Sequence, residues 1–426
     1  MKEGETQSIQ SSDAVRGTSV LLPEASITVF SRDKETLEAA EVFEKDWRFA
    51  RVVAGIEEGG IDSAIHAYQE FESPDLLIIQ TEDIDDSFTD KLEELAAHCD
   101  EGTSAIVVGP VNDVNLYRTL IDMGVSDYLV KPLSADVIAE IAAKALIDKI
   151  GASDSRLIAY IGSKGGVGTS TLCQNSACAA ARLLGQKTFI MDLCGGSSTM
   201  SIALGFEPVT TLTEAVRALD SDDEDSFSRM IVNPIDKLNV LASGGDAILD
   251  EALTASQIED MIDLFMKTYP VVFIDLSGAP QDLQKVVLRR AHQICVVSTQ
   301  NLISLRHARS LMQEVKDLRG GDDSNIELLI NMQGQPGEQK VSKKDIEGAM
   351  DFEIAACVPF ESKVFQVTDP ENASFAKNHD GAAIVQQALL SVSQKILGHS
   401  VDTSDASKDS ESNGFLAGLI GKIGSK

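Results

Sequence analysis

Three glycines, one lysine and three hydroxyls fall within eight residues of this chain, Lys164-Gly-Gly-Val-Gly168-Thr-Ser-Thr171. The apolar run Ile158-Ala-Tyr-Ile161 leads into them, and a segment that reads as a helix from near Ser170 to before Gly185 leads out. Glycines let several backbone N–H groups converge on one phosphate, and a helix N-terminus adds favourable partial charge. Ser170 and Thr171 are available to cap that helix, and one of their hydroxyls can ligate Mg2+. The strict phosphate-loop pattern, GxxxxGK followed by Ser or Thr, is not met: Ser163 stands for the first glycine and Thr169 for the lysine. Two aspartates suit the same chemistry. Phe189-Ile-Met-Asp192 and Val271-Val-Phe-Ile-Asp275 each end an apolar run with a carboxylate, which can hold magnesium or its waters beside phosphates.

Positioning such groups takes strands that end at one edge of a sheet. The chain supplies apolar runs at Leu157–Ile161, Thr188–Met191, Val271–Ile274, Ile294–Val297 and Leu328–Ile330, separated by amphipathic segments. An earlier set has the same rhythm. Ile27–Phe30, Leu76–Ile79, Ala105–Val108 and Asp127–Val130 read as strands, and Lys34–Glu44, Asp90–His98 and Ala135–Ile150 as helices. Short apolar runs alternating with helices predict parallel sheets covered on both faces, so the fold class is α/β. The expected organisation is a polar, disordered 1–24, a first unit over 25–150, a hinge at Gly151–Ser155 and a larger unit over 156–397. A Ser- and Asp-rich linker over 399–413 and an apolar terminal segment, 414–426, follow.

Composition narrows the function. Against 36 Lys and Arg stand 67 Asp and Glu, a formal net charge of −31. A chain this anionic is repelled by DNA overall, and no run of basic residues builds a local patch, so no nucleic acid is expected as a partner. No stretch reaches the roughly 20 apolar residues of a membrane-spanning helix, and the start of the chain lacks an apolar signal core. A cytoplasmic protein is therefore expected. Cys99, Cys173, Cys178, Cys194, Cys295 and Cys357 form no CxxC pair and have no histidine at metal spacing, which reads as small buried hydrophobes in a reducing compartment.

The loop with its early Lys164 and Ser170 resembles the deviant phosphate loop of the MinD/ParA ATPases, and the resemblance runs from Leu157 to Leu397. It implies a doubly wound parallel-sheet P-loop NTPase that binds ATP and Mg2+. By resemblance, Lys164, Gly165, Gly166, Val167, Gly168, Thr169, Ser170 and Thr171 hold the phosphates. Ser170, Asp192 and Asp275 surround the metal, and Asn331, ending Leu328-Leu-Ile-Asn, lies near adenine. Val358-Pro359 fits the later nucleotide-side loop. A helix cap or loop ion pair is the other use of an acid such as Asp275; its order and spacing favour the nucleotide. The catalytic expectation rests on Lys164, which in the family reaches a partner's nucleotide across a dimer, and on Asp192. An active member has Lys at Thr169 and Asp at Cys194. Losing one well-placed electrostatic group costs about 10²–10³ in rate, so slow or absent hydrolysis with retained binding is expected.

In the first unit, Gly124-Val-Ser-Asp-Tyr-Leu-Val-Lys-Pro132 resembles the last strand of a flavodoxin-like response-regulator receiver. Gln80 stands at the phosphoacceptor position, Ser31 and Arg32 replace the acidic pair with Asp33 beyond, and Gly109 replaces the hydroxyl. An amide accepts no phosphoryl group, so docking or dimerisation is the expected role; Asp75 and Asp83 read as solvated loop acids. A degenerate receiver joined to a MinD-like unit is similar to the TadZ/CpaE family of Flp (Tad) pilus assembly. That resemblance implies a nucleotide-dependent homodimer that places pilus and secretion machinery at a cell site, commonly a pole. An active ATPase cycling between membrane and cytosol, in spatial positioning or partition, is the alternative. On a helical wheel, Phe415, Leu416, Leu419, Ile420 and Ile423 fall within an arc of roughly 140°. This suits an interfacial anchor at the inner membrane, or equally a segment docking on a protein or a frayed tail.

Overall fold

Both predicted sets of strands form parallel sheets buried on two faces, in a computed structural model of the chain. The structure describes residues 18 and 20–397, apart from 83, 85, 101, 150–154, 222, 242–243, 245–252, 336–340, 351 and 362–379. The hinge, the linker over 399–413 and the terminal segment with Phe415 to Ile423 lie largely or wholly outside the described residues, as does Asp83.

The first sheet contains β1 (Ala25–Ser31), β2 (Val52–Glu58), β3 (Leu76–Gln80), β4 (Ser104–Gly109) and β5 (Asp127–Val130). Its order is β2-β1-β3-β4-β5 with every pair parallel, the doubly wound flavodoxin-like order. Alternation decides the two faces. Ile27, Val29, Leu76, Ile78, Ile106 and Val108 pack under the helix Ala135–Lys149, whereas Phe30, Leu77, Ile79 and Val107 pack under Ile61–Tyr68, Asp86–His98 and Val114–Asp122. Strands buried on both sides read as unbroken apolar runs because neither face meets water.

The second sheet contains β6 (Arg156–Gly162), β7 (Thr188–Asp192), β8 (Val232–Ile235), β9 (Leu238–Leu241), β10 (Val271–Asp275), β11 (Gln293–Thr299), β12 (Ile326–Gln333) and β13 (Ile354–Pro359). Its order is β13-β12-β11-β6-β10-β7-β9-β8, parallel except for the β8–β9 hairpin at one edge. Central β6 therefore delivers the glycine loop at the middle of the C-terminal edge. Leu157, Ala159 and Ile161 face the helices Ala255–Thr268, Gln281–Arg290 and Leu302–Leu318; Ile158 and Tyr160 face Thr169–Arg182 and Asp380–Leu397. Capping boxes start two of the outer helices: Thr211 with Glu214, and Thr254 with Gln257.

Three expectations need correction. Val20, Leu21 and Leu22 are buried, so disorder does not extend to residue 24; this apolar triplet straps the two sheets together. Its amides donate to Arg289 O and Arg48 O, both at 2.8 Å. The helix expected over Lys34–Glu44 is two, Lys34–Ala40 and Val42–Lys45. Asp75 is no solvated acid: it accepts from the Ser26 amide and hydroxyl at 2.7 and 2.9 Å and pairs with Lys149.

The sheets also meet at the base of the second one, at its N-terminal edge. The Arg319 guanidinium is buried, lies 5.7 Å from the Trp47 ring centroid and donates to Leu288 O and Ala291 O at 3.1 and 2.8 Å. Gly320 follows in the left-handed region, and a Cβ there would come within 2.5 Å of Trp47. Arg51 pairs with Glu259 at 2.9 Å.

Candidate functional site

Residues 162–171 wrap one side of a pocket of about 610 Å³ at the C-terminal edge of β6. Lys164, Gly165 and Gly166 are exposed at its mouth, and Gly166 and Gly168 adopt φ of +80° and +85°. L-residues avoid that region, so glycine is required for this path. The helix begins one residue earlier than expected, at Thr169, with Gly168 as its N-cap. Ser170 and Thr171 therefore do not cap it; they lie inside the first turn and line the pocket. The first-turn amides have no intrahelical partner, which suits an anion.

The substituted positions have structural uses. Ser163 shares a hydrogen bond with Ser304 at 3.0 Å, and Ser304 accepts from Ser298 at 3.1 Å and from the Thr299 amide at 3.2 Å. These buried serines tie the loop to β11 and to the start of the helix Leu302–Leu318. Thr169 is buried with its hydroxyl turned back onto Gly162, where a Cβ would collide with it. Its side chain thus closes the loop, leaving its backbone to face a phosphate. The Lys164 ammonium sits 3.3 Å from the carbonyl of Gly165 and is exposed.

Asp192 and Asp275 end β7 and β10 as register partners, both buried. Their surroundings differ. Asp192 accepts from the Cys194 amide at 2.7 Å and from the Ser198 hydroxyl at 2.5 Å, so both of its oxygens serve the following turn. Asp275 accepts the Ser277 amide at 2.9 Å through Oδ1, whereas Oδ2 is buried with no hydrogen-bond partner. Burial raises both carboxyls above the usual range; Asp275 adds to the rise at Asp192, and the nearby Ser170 hydroxyl, which does not close a hydrogen bond, pulls Asp275 the other way. An orphaned carboxylate oxygen beside the Ser170 hydroxyl is a donor set that fits a hard cation. Among the described residues no cluster of three metal-binding side chains exists, so such a cation would need phosphate oxygens and water to complete its shell.

Cys194 follows Asp192 by two residues and is half-buried. Its sulfur packs against Gly278, and burial, helped by Asp192 and Asp275, pushes the thiol up to about 11. It is neutral at physiological pH and cannot act as a base. Asn331 is fully buried; its amide donates to Val167 O at 2.8 Å and accepts from the Met332 amide at 2.8 Å. The structure therefore brings Ser170 of the loop beside Asp275, while Asp192, Asp275 and Asn331 are all buried just outside the pocket lining. Sequence reasoning missed the opposite wall, formed by Gln284, His307, Ser310 and Glu314. Only the helical spacing of 307, 310 and 314 signalled it.

At the corresponding edge of the first sheet, Gln80 accepts from the Ser31 hydroxyl and the Arg32 amide at 3.2 and 3.1 Å and donates to Glu82 at 2.8 Å. Lys131 pairs with Glu82 at 2.6 Å and Asp33 at 3.7 Å. A Cβ at Gly109 would come within 2.5 Å of the Tyr128 hydroxyl and 2.7 Å of Ile84. Asp33 itself caps the helix Lys34–Ala40. The receiver-like edge is closed by its own side chains.

No family model matches the chain. The CpaE pilus assembly protein of Caulobacter crescentus is 34% identical over 93% of its solved chain and 29% of this one, with a TM-score of 0.28. A chain of Sinorhizobium meliloti assigned as a CpaE2 pilus assembly protein is 40% identical over 95% of its length and 28% of this one, with a TM-score of 0.26. The chain belongs to the TadZ/CpaE-type, MinD-like family. Identity decides this, since the superposition scores are low for matches covering under a third of the chain. Thermotoga maritima MinD, a septum site-determining protein, is 22% identical over 251 residues, 58% of this chain and 89% of its own.

Proposed function

We propose that the chain is an ATP-binding scaffold of pilus assembly, poor in hydrolysis and dimeric when nucleotide is bound. The observation that carries this is an open glycine cradle beside a buried carboxylate oxygen that no protein group satisfies. The amides of Gly165 to Thr171 would bind the phosphates, with Lys164 supplying the positive charge that Thr169 no longer does. Mg2+ would be held by the Ser170 hydroxyl and Asp275, and when bound it neutralises phosphate charge. Asp192 orients the turn at Cys194 through its two hydrogen bonds. Nothing at Cys194 positions an attacking water, so the nucleotide serves as a structural ligand.

The pilus role follows the CpaE relatives' own description. The division at 25–150 and 156–397, a place at the inner membrane or a pole, and peripheral contact through Phe415, Leu416, Leu419, Ile420 and Ile423 belong to this same reading. Among the described residues no helix is long and apolar enough to cross a membrane. Light scattering with and without Mg-ATP, alongside phosphate release, tests the reading. A nucleotide-dependent mass increase with negligible release is expected; robust turnover abolished by Lys164→Ala would replace the scaffold with a cycling ATPase.

A further inference from the structure

We infer that His307, on the wall facing the glycine loop, contacts the phosphates of the bound nucleotide and adds a positive charge that varies with pH; this rests on the nucleotide-binding reading above. The chain has a formal net charge of −31, so its overall field opposes a polyphosphate and the cations close to the site decide affinity. With Thr169 in place, Lys164 is the one cation within residues 162–171. The ionisable residues lining the pocket are Lys164 from the loop, and His307 and Glu314 from the helix Leu302–Leu318 on the opposite wall. The helix Gln281–Arg290 adds the uncharged Gln284 to that wall, and the buried Asp192 and Asp275 lie just outside the lining.

The helix Leu302–Leu318 buries Ser304, Leu305, Ala308, Met312 and Val315. At 100° per residue, His307, Ser310 and Glu314 share a second face, about 120° round the helix from that one. Packing therefore makes no demand on His307. It is exposed to the pocket, and among the described residues no group hydrogen-bonds its imidazole. A protonated imidazole donates from both ring nitrogens, and its bonds to an anionic oxygen are about twice as strong as neutral ones. Ser310, one turn along, offers a hydroxyl to the same anion. Glu314, a further turn along, repels phosphate, so the wall receives a polyphosphate at its His307 end. Histidine is also the side chain whose charge ordinarily changes between pH 5 and 8, so the help it gives an anion fades as pH rises.

The test uses the full chain, with ATP and inorganic tripolyphosphate as probes in the presence of magnesium, at pH 6 and pH 8. Affinities are compared with wild type at the same pH, which cancels the titration of the probes themselves. His307→Gln keeps a donor but has no charge, and His307→Arg is charged at both pH values. The expected result is that His307→Gln weakens both probes by about tenfold at pH 6 and by no more than about twofold at pH 8. His307→Arg should stay within about threefold of wild type at pH 6 and bind both probes about tenfold more tightly at pH 8. Circular dichroism at each pH establishes folding. A loss in His307→Gln that is the same at both pH values, or no loss at either, overturns the inference. A loss confined to ATP, with tripolyphosphate unchanged, places the imidazole against the base or sugar and overturns it as well. If the wild type binds neither probe at either pH, the nucleotide reading fails and takes this inference with it, an outcome distinct from wild-type binding that His307 does not influence.

Discussion

The C-terminal edges of the two sheets in this molecule are packed in opposite ways. At the end of β6, around Thr169 and Cys194, the space stays open at about 610 Å³ and Asp275 keeps an unsatisfied oxygen. At the ends of β1, β3 and β4, around Ser31, Gln80 and Gly109, the space is taken up. Gln80 is hydrogen-bonded at both ends of its amide, and the Tyr128 hydroxyl and Ile84 crowd Gly109. A buried polar group left without a partner costs stability, and a bound cation would satisfy Asp275 Oδ2. On the proposed reading, the contrast separates a site that keeps a ligand without turning it over from one that takes none.

Restoring chemistry should divide the edges most sharply. Thr169→Lys combined with Cys194→Asp returns a phosphate-binding cation and a water-orienting carboxylate, and phosphate release should rise by about 10²-fold or more. Gln80→Asp, measured with acetyl phosphate and magnesium, should incorporate no phosphoryl group, because Ser31 and Arg32 cannot complete a metal site. Phosphorylation of that variant would dissolve the contrast.

Glycine substitutions give the next effect. Gly168→Val forces a β-branched residue to φ +85° in the cradle, and ATP affinity should fall by about 100-fold. Gly109→Ala should instead cost about 1–3 kcal/mol of stability, read by urea unfolding, and leave ATP affinity unchanged. Equal loss of ATP binding in both would mean the two edges are not independent.

The last effect lies at neither edge and is spread over several pH units. His292 is buried at the base of the second sheet, where its Nδ1 accepts the Leu157 amide at 3.1 Å. Burial, with Arg156, Arg290 and Arg319 nearby, pushes it down to about 3, from 6.5 in the unfolded chain. Below 6.5 the unfolded state binds a proton that the folded state refuses. This contribution is therefore complete above pH 6.5 and is lost toward pH 3, at up to about 1.4 kcal/mol per pH unit. His292→Gln should flatten urea-derived stability over that interval by one proton; an unchanged slope would place the histidine in water.

Much of the scaffold was legible because burial on both faces writes itself into sequence. β6, β7 and β10 to β12 stand out as unbroken apolar runs, and Asp192 and Asp275 mark where two of them end. The edge strand β5 was legible, whereas β2, β8 and β9 were not. β2 is only half buried and contains Gly55, and β8 and β9 are four residues each. The glycine loop announced a phosphate site, but its bracing did not: Ser163 to Ser304 and Val167 to Asn331 join residues far apart in the chain. The Trp47 seat on Arg319 and the burial of Val20 to Leu22 are likewise products of tertiary packing. The resemblance to a base-contacting asparagine pointed to the end of β12 but gave no sign that its amide would be hydrogen-bonded to the Val167 carbonyl.

Titration calorimetry of the full chain with ATP and magnesium bears most directly on the retained ligand. Saturable heat corresponding to one ATP per chain, weakened by Gly168→Val and accompanied by no comparable phosphate release, is the predicted result. No heat at millimolar ATP, with a folded protein in the cell, would contradict it and leave an adaptor that binds only other proteins.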